Sequence, residues 1–382
     1  MTRIAIDTFA TRPPWNCGGV YEYTRHLLHH FQALAPEYGC DVTALVGRNY
    51  GSLVEGLQDS ASFRTITSRG IEQPRFWRYG GCGSQSRRLE ADVVLLPTPD
   101  VLPVLMPRYV VTIHDVPFLK TNSYSRFKNW RFRLLVGQVA QNACRILADS
   151  EYTKADIVRH MGIAPEKITV VYLSHSHDRY NTEPVDEGLR HRVTEKWKLQ
   201  RPYILHYGTL QPRKNLVRLI EAYDLMLAQH PELGFDLVLA GMKGWQYEPI
   251  LEAAGRILAP KRVVLTGPVD EDELAALVKG AALTVIPSLC EGFCLPMLES
   301  MACGVPTVVA NSSCLPEVSG GVLRYFDGES VEQIAQTMCS VLQSPSEQQS
   351  LRQAGLKRAA EFSWERCARE TLQALRQVAT GL

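Results

Sequence analysis

Short strand-like runs alternate with longer helix-like segments along this chain, and the alternation occurs twice. The first series opens with Ile4–Phe9 and Val20–Ala35, and the second opens with Tyr203–Tyr207 and Leu216–Gln229. Because parallel strands are joined by crossover helices, this alternation predicts parallel sheets covered by helices on both faces. We therefore expect an α/β protein with two doubly wound, Rossmann-like, parallel-sheet domains. The other predicted strands are Val42–Val46, Asp92–Leu96, Val110–His114, Ile146–Ala148, Ile168–Leu173, Leu237–Ala240, Val263–Thr266, Leu283–Pro287 and Thr307–Ala310.

The junction between the two series predicts where the domains divide. A length of 382 residues suits about two domains, each with its own core. The polar stretch 174–184 separates the series, so we place the first domain at residues 1–183 and the second at residues 184–364. Ser363 fits the N-cap of a last helix, and residues 365–382 form a third, helical segment.

The composition excludes several classes of protein. A net charge of +1 gives no electrostatic argument for a nucleic-acid partner. A strand is predicted from Arg3 onwards, where a signal peptide would lie, and no apolar stretch approaches the roughly 18 residues that span a bilayer. Ten scattered cysteines, without a signal sequence, fit reduced thiols. We therefore expect a cytoplasmic protein.

Two carboxylates flank a predicted helix start in the second series. Glu291 follows the strand Leu283–Pro287, Pro296 suits the first helical position, and Glu299 lies about one turn into the helix. Free N–H groups at a helix start bind anions, and carboxylates accept hydrogen bonds from hydroxyls. The stretch therefore fits a diphosphate with a sugar on each side. The alternative is a pair of exposed acids favoured by the helix dipole.

A second motif, residues 208–215, follows the strand Tyr203–Tyr207 and reads Gly-Thr-Leu-Gln-Pro-Arg-Lys-Asn. Gly208 allows the backbone to turn close to a ligand. Arg213 and Lys214 provide two cations that stabilise the charge of a departing diphosphate without a metal ion. The alternative is a solvated Arg-Lys pair before a helix.

The first series carries weaker signals of the same kind. Gly18 and Gly19 lie between the first strand and the first helix, where N–H groups approach phosphates or sugars. His114 ends a strand at its carboxyl end, where its ring or its carbonyl reaches a ligand. We expect Asp115 to orient the backbone or His114 rather than to act as a base. The alternatives are a simple turn at the glycines and a loop-capping histidine.

Together these segments resemble the retaining glycosyltransferases of the GT-B fold, specifically family 4, whose two domains face a central cleft. The stretches 208–215 and 241–245 look most like those of bacterial mannosyltransferases of surface polysaccharide assembly. In the family the last helix returns to the first domain. The resemblance implies that the first Glu of the pair meets the donor sugar and the second meets the ribose. The family usually has Gly at the position of Cys294, whose Cβ narrows the room beside the sugar. The implied catalytic residues are His114, Arg213, Lys214 and Glu291, and the implied donor-binding residues are Gly18, Gly19, Gly208, Lys243, Gly292, Phe293, Cys294, Leu295 and Glu299.

The activity that the resemblance implies is retaining, metal-independent transfer of a hexose. Mannose from GDP-mannose is the best candidate, and the acceptor is a glycan, a lipid-linked molecule or a small molecule. The nucleotide sugar is a substrate, so no cofactor is expected. A UDP-hexose donor, a sugar-nucleotide 2-epimerase of the same fold and a non-catalytic nucleotide-binding module stay open as alternatives. The paired Glu residues and the Arg-Lys-Asn segment favour the transferase.

Three further features have plainer interpretations. The acidic run Asp270–Asp272 opens a helix, where acids suit the dipole, and His175 with His177 lacks an evident third metal ligand, so no metal site is expected. Cys290 and Cys294 have metal-ligand spacing without a second pair. The segment Arg126–Arg133 mixes cations and aromatics. It predicts either an amphipathic helix with a wet basic face or contact with an anionic acceptor such as a lipid headgroup, at the inner face of the membrane.

Overall fold

The computed structural model describes residues 1–11, 18–47, 51–116 and 126–381, without the side chains of residues 69 and 126–131. It divides into two compact units, residues 1–173 with 363–382 and residues 174–362. Each unit is built on a parallel β-sheet flanked by helices.

The first unit alternates strands and helices, as the sequence predicts. In chain order its elements are β1 (Thr2–Asp7), α1 (Gly19–Leu34), β2 (Cys40–Val46), α2 (Gly51–Val54), β3 (Phe63–Thr67), α3 (Pro74–Phe76), α4 (Cys82–Arg88), β4 (Val93–Leu96), β5 (Arg108–Ile113), α5 (Arg126–Asn142), β6 (Arg145–Ala148), α6 (Glu151–Met161) and β7 (Ile168–Val170). The described strands lie in the order β3-β2-β1-β4-β5-β6-β7.

The second unit repeats the pattern. Its elements are α7 (Glu187–Lys196), β8 (Tyr203–Tyr207), α8 (Leu216–Gln229), β9 (Asp236–Ala240), α9 (Glu248–Arg256), β10 (Val263–Gly267), α10 (Glu271–Gly280), β11 (Leu283–Ile286), α11 (Leu295–Ala302), β12 (Thr307–Ala310), α12 (Leu315–Ser319), β13 (Arg324–Phe326), α13 (Val331–Gln343) and α14 (Pro345–Ala359). The strands lie in the order β10-β9-β8-β11-β12-β13. The chain then returns to the first unit as α15 (Trp364–Thr380).

The strand orders fix where ligands bind. In each sheet the order reverses between the first and the fourth strand of the unit, β1 beside β4 and β8 beside β11. In open α/β sheets the ligand crevice lies outside the carboxyl ends of the strands at this reversal. The loops after β8 and β11, which carry the two strongest sequence motifs, therefore lie next to each other.

The helix α15 completes the core of the first unit. Trp364 is buried, and its indole ring stacks on the ring of His26 from α1 with 4.6 Å between centroids. Arg108 donates to the carbonyl oxygen of Val378 at 2.9 Å. The Ser363 side chain accepts from the backbone N–H of Arg366 at 3.4 Å, which is an N-cap hydrogen bond.

The fold differs from the sequence prediction at two strands and at the domain boundary. The sequence analysis missed β3 and β13, because their residues are largely polar or only partly buried. The second unit begins at Ser174, whereas the sequence placed the boundary after residue 183. Residues 174–183 pack on the second unit, where Lys279 donates to Asn181 Oδ1 at 2.7 Å and to the carbonyl oxygen of Glu183 at 3.1 Å.

Candidate active site

The loops after β8 and β11 are tied together at the carboxyl edge of the second sheet. The backbone N–H of Leu289 donates to the carbonyl oxygen of Arg213 at 2.9 Å. The Asn215 side chain donates to the carbonyl oxygens of Pro287 at 3.1 Å and Gly328 at 2.6 Å. Asn215 adopts a left-handed backbone with φ of 60°, which asparagine tolerates better than most residues. One side chain therefore joins the loops that follow β8, β11 and β13.

An ion triad of Arg213, Lys214 and Glu291 lies at this edge, with Arg213 half-buried and the other two members buried. Arg213 Nη1 donates to Glu291 Oε2 at 2.5 Å, and Lys214 Nζ donates to Glu291 Oε1 at 2.5 Å. Lys214 is 6% exposed and Glu291 is 5% exposed. Charges removed from water are tolerated only when they are paired and hydrogen-bonded. With Glu291 ionised, the triad has a net charge of one positive unit, which suits an anionic ligand.

The electrostatics keep Glu291 ionised. Burial alone would raise the pKa of its carboxyl group, but the charges of Arg213 and Lys214 outweigh burial and lower that pKa to about 2. The same surroundings keep His206, on β8, uncharged. Burial and then the charge of Lys214 lower the pKa of His206 to about 4, and its Nδ1 lies 3.0 Å from the carbonyl oxygen of Val285. His206 is therefore a neutral imidazole that donates from Nδ1.

Glycines set the shape of the backbone beside Lys214. Gly208 and Gly241 have φ of 130° and 146°, and a Cβ added at Gly241 would lie 2.0 Å from the carbonyl oxygen of Gly208. Only glycine fits there. A Cβ added at Gly208 would lie 3.8 Å from Lys214 Nζ, so this glycine keeps the space in front of the ammonium group open.

The Glu291 loop ends in a strained residue. Cys294 has φ of 73° and immediately precedes α11, a left-handed conformation that costs an L-residue roughly 1–2 kcal/mol. This conformation is a physical reason for glycine at that position. Burial and the nearby charge of Glu291 raise the pKa of the Cys294 thiol to about 12, so it is a neutral group beside the triad. The helix begins at Leu295, with Pro296 in its second position rather than its first.

The other residues that the resemblance implied for donor binding in the second unit make contacts outside the triad. Gly292 and Phe293 are buried, and the Phe293 ring meets the Phe362 ring edge-on with 5.6 Å between centroids. Glu299 is half-buried on α11. Lys243 is exposed, and its Nζ lies 4.9 Å from the centroid of the Tyr247 ring. The structure therefore brings Gly208, Arg213, Lys214, Glu291 and Cys294 together and places Lys243 at the surface.

His114 lies in the first unit, at the carboxyl end of β5. Its Nδ1 is 2.7 Å from Asp149 Oδ2, and its Nε2 is 3.0 Å from the carbonyl oxygen of Pro97. Both partners accept, so both ring nitrogens donate. Burial lowers the pKa of His114, but the charge and hydrogen bond of Asp149, the charge of Asp115 and the hydrogen bond to Pro97 together outweigh burial and raise it. The partner that orients His114 is Asp149, directly after β6, whereas the sequence prediction offered Asp115 for orienting either the backbone or His114.

The backbone of His114 is also held. Ser150 caps α6 by accepting from the Thr153 N–H at 3.1 Å, and Thr153 Oγ1 donates to the carbonyl oxygen of His114 at 3.3 Å. The signal in the sequence that could have indicated Asp149 is its place directly after the predicted strand Ile146–Ala148, since ligands bind at the carboxyl ends of such strands. Gly18 and Gly19 open α1, and Gly18 has φ of 88°. Cys17, which precedes them, lies outside the described residues.

The acidic run and the histidine pair make contacts of their own in the second unit. Arg179 pairs with Glu271 and, at 3.6 Å, with Asp272. The rings of His175 and His177 lie 4.1 Å apart. Within the described ranges, no group of three or more His, Cys, Asp or Glu side chains is placed to hold a metal ion. No helix in the described part of the chain is both long and apolar enough to cross a bilayer. The segment Arg126–Arg133 lies in α5, but its side chains up to residue 131 are outside the description.

Two family profiles cover most of the sequence. The profile of glycosyltransferase family 4 matches residues 17–179, and that of glycosyl transferases group 1 matches residues 190–358. The O-antigen chain mannosyltransferase B of Escherichia coli is 32% identical over 275 residues, which are 72% of this chain and 71% of that protein. The chain belongs to glycosyltransferase family 4. It is a glycosyltransferase. The family 4 profile includes Gly18 and His114, and the group 1 profile includes the three residues of the ion triad.

Solved structures confirm the predicted fold of this glycosyltransferase. Sucrose-phosphate synthase from Thermosynechococcus elongatus matches with a TM-score of 0.77 over 100% of both chains, at 17% identity. Anabaena HepE in complex with UDP and glucose matches with a TM-score of 0.74 over 99% of this chain and 100% of that chain, at 16% identity. The fold is therefore GT-B, as the sequence motifs predict.

Proposed function

We propose that this family 4 enzyme transfers mannose from GDP-mannose to a glycan, lipid-linked or small-molecule acceptor, with retention of configuration and without a metal ion. The observation that carries the proposal is the ion triad of Arg213, Lys214 and Glu291 at the strand-order reversal of the second sheet. Two fixed cations beside an open glycine turn suit a diphosphate leaving group.

The triad supports a division of roles during transfer. As the glycosidic bond breaks, the diphosphate gains negative charge, which Arg213 and Lys214 stabilise. The diphosphate also accepts the proton of the attacking acceptor hydroxyl, on the same face of the sugar. Glu291 stays ionised and accepts a hydrogen bond from a sugar hydroxyl, while Glu299 accepts from the ribose. Within the first unit, Asp149 fixes the ring of His114 and Thr153 fixes its backbone.

The sequence relative supports mannose as the sugar. The E. coli relative is named as a mannosyltransferase of the O-antigen chain. A UDP-hexose is the second candidate donor, because the Anabaena protein of the same fold is seen with UDP and glucose. Pocket contacts to sugar hydroxyls discriminate strongly, so one donor should clearly lead.

A donor panel tests the proposal directly. The enzyme is incubated with GDP-mannose and several UDP-hexoses, with and without EDTA, and nucleotide release and the linkage are measured by chromatography and NMR. We expect GDP-mannose to lead, turnover to survive EDTA and the new linkage to be α. A β-linkage would contradict retention. A leading UDP-hexose would replace only the donor, and a nucleotide sugar returned epimerised at its second carbon would identify an isomerase instead.

The location belongs to the same proposal. A lipid-linked acceptor places the enzyme at the inner face of the membrane, as a peripheral protein. The basic and aromatic segment Arg126–Arg133 has a helical backbone within α5. A helix that lies on a membrane surface requires this conformation.

A further inference from the structure

Four large apolar side chains are exposed together on the first unit. Phe76 is 57% exposed, Tyr79 54%, Val104 44% and Leu105 54%. We name these four side chains the apolar patch. In the first unit, the other exposed large apolar side chains among the described residues are those of Met1 and Leu134. Scattered exposed apolar residues need no explanation, but a contiguous group marks an interaction surface.

Glycines bring the two segments of the patch into contact. A Cβ added at Gly80 would lie 3.5 Å from Val104 Cγ1, and one added at Gly83 would lie 2.3 Å from the carbonyl oxygen of Val104. The backbone N–H of Leu102 donates to the carbonyl oxygen of Arg78 at 3.0 Å. The segments around residues 76–83 and 102–105 therefore pack as one surface.

The patch is anchored rather than loosely held. Trp77, between the exposed side chains, is buried and donates from its indole N–H to Asp7 Oδ1 at 2.8 Å. Asp7 ends β1, at the carboxyl edge where ligands bind in such a sheet. Leu105 has φ of 56°, an unfavourable conformation for leucine that sets its side chain at the surface. The patch is thus tied to the ligand-binding edge of its own unit.

The charges beside the patch are mostly positive. Arg75, Arg87 and Arg88 are exposed, and within the described part of the chain none of them pairs with a carboxylate. Arg87 donates to the carbonyl oxygen of Leu105 at 2.7 Å, which places its guanidinium at the patch. Glu72 is an exposed carboxylate of the same stretch, and Glu90 pairs with Arg3. Aromatic and aliphatic side chains beside arginines suit an anionic lipid surface.

The structure assigns the apolar patch and its arginines to docking on an anionic membrane surface, which brings the ligand edge of the first unit to a lipid-linked acceptor. The inference rests on the proposed lipid-linked acceptor, and its test does not depend on catalysis. Insertion of the four side chains into the membrane contributes the hydrophobic part of the binding free energy. Arg75 and Arg88 contribute a salt-sensitive attraction to phosphatidylglycerol headgroups.

Vesicle sedimentation of the full chain tests the docking. We expect binding to phosphatidylglycerol-containing vesicles that exceeds binding to pure phosphatidylcholine and falls with salt. Tyr79→Ser with Leu105→Asn, and separately Arg75→Ala with Arg88→Ala, should each weaken binding by on the order of tenfold or more. Asparagine suits the left-handed backbone at residue 105, so that change should not impair folding. The matched control on the second unit is Leu258→Asn with Lys261→Ala, where Leu258 is 73% exposed, and it should bind like the wild type.

Several results would overturn the inference. One such result is that the wild-type protein does not bind anionic vesicles at low salt. Another is that the patch variants bind these vesicles as tightly as the wild type does. A lipid-independent dimer that Leu105→Asn abolishes would assign the patch to a second copy of the chain. Nucleotide release from the donor, measured without vesicles, should be unchanged in the patch variants. If no donor is turned over while patch-dependent binding persists, the proposed function fails and the docking stands.

Discussion

At the scale of single residues, the triad makes Glu291 and its two cations depend on one another. Lys214 and Glu291 are buried and Arg213 is half-buried, and the carboxylate holds both cations with bonds of 2.5 Å. The depressed pKa of Glu291 stabilises the folded state above its ordinary pKa near 4.5, and this contribution is lost as the pH falls towards 2. Removing one member therefore changes the charge that the remaining members present to a ligand.

Glu291→Gln should separate binding from turnover. Losing the competing carboxylate leaves Arg213 and Lys214 with more positive charge for a diphosphate, so the free nucleoside diphosphate should bind more tightly. Turnover should fall by on the order of 10²-fold, because the sugar loses its charged acceptor. Calorimetry with the nucleoside diphosphate and steady-state kinetics with the nucleotide sugar measure both effects. Glu299→Gln is the matched control and should weaken nucleotide binding instead. The reverse pattern would show that the two roles are exchanged.

Arg213→Ala and Lys214→Ala should each lower turnover by on the order of 10²-fold, because each removes a cation that the leaving group requires. Arg218→Ala serves as a control, since Arg218 donates to Asn215 Oδ1 rather than to Glu291. Near-wild-type turnover in both triad variants would contradict leaving-group stabilisation. Circular dichroism and thermal unfolding show whether either variant has simply lost its fold.

Cys294 combines strain with a position beside the triad, so its substitutions should have opposite effects. Cys294→Gly relieves the left-handed backbone and leaves the free energy of unfolding within about 1 kcal/mol of the wild type, because glycine also gains entropy in the unfolded chain. It should widen the range of accepted donors. Cys294→Val should destabilise the protein by about 2 kcal/mol, since a β-branched side chain resists positive φ. Urea unfolding and the donor panel test both. A narrower donor range in the glycine variant would contradict a steric role.

At the scale of secondary-structure elements, adjacent strand ends bring together residues that are distant in sequence. His114 directly follows β5 and Asp149 directly follows the neighbouring β6, and His114 Nδ1 lies 2.7 Å from Asp149 Oδ2. The sequence marks both strand ends, but it does not state which strands are neighbours. It missed β3 and β13 for a related reason, since short edge strands have too few apolar positions to show a period.

The pair of His114 and Asp149 makes a pH prediction. Because the folded-state pKa of His114 is raised, its contribution to stability is complete below its ordinary pKa and is lost as the pH rises through the raised value. Asp149→Asn should lower the pKa of His114, since burial is then opposed only by the charge of Asp115 and the hydrogen bond to Pro97. NMR titration of the imidazole measures this shift, with Asp115→Asn as the comparison. An unchanged His114 pKa in the Asp149 variant would contradict the pairing.

At the scale of the whole molecule, the sequence indicates two sheets and their crossover helices but not the strand order that places the site. The alternation of segments and the two strong motifs predict the fold class and the residues of the triad. The reversal between β8 and β11 depends on packing between strands that are about 80 residues apart. The mutual pairing of Arg213, Lys214 and Glu291 follows from that reversal, and spacing alone did not reveal it.

The two units also predict how the molecule responds to truncation. Helix α15 packs on α1, with Trp364 and Leu375 buried and Arg369 donating to Glu37 at 2.8 Å. A chain that ends at residue 362 loses these contacts, so the first unit should unfold, because burying one large aromatic side chain alone is worth about 3–5 kcal/mol. The triad lies wholly within residues 174–362, so nucleoside diphosphate binding should survive the truncation within about tenfold. Circular dichroism and calorimetry on the truncated chain and the full chain measure both properties. Loss of nucleotide binding from a second unit that is still folded would show that the first unit supplies binding contacts that the triad lacks.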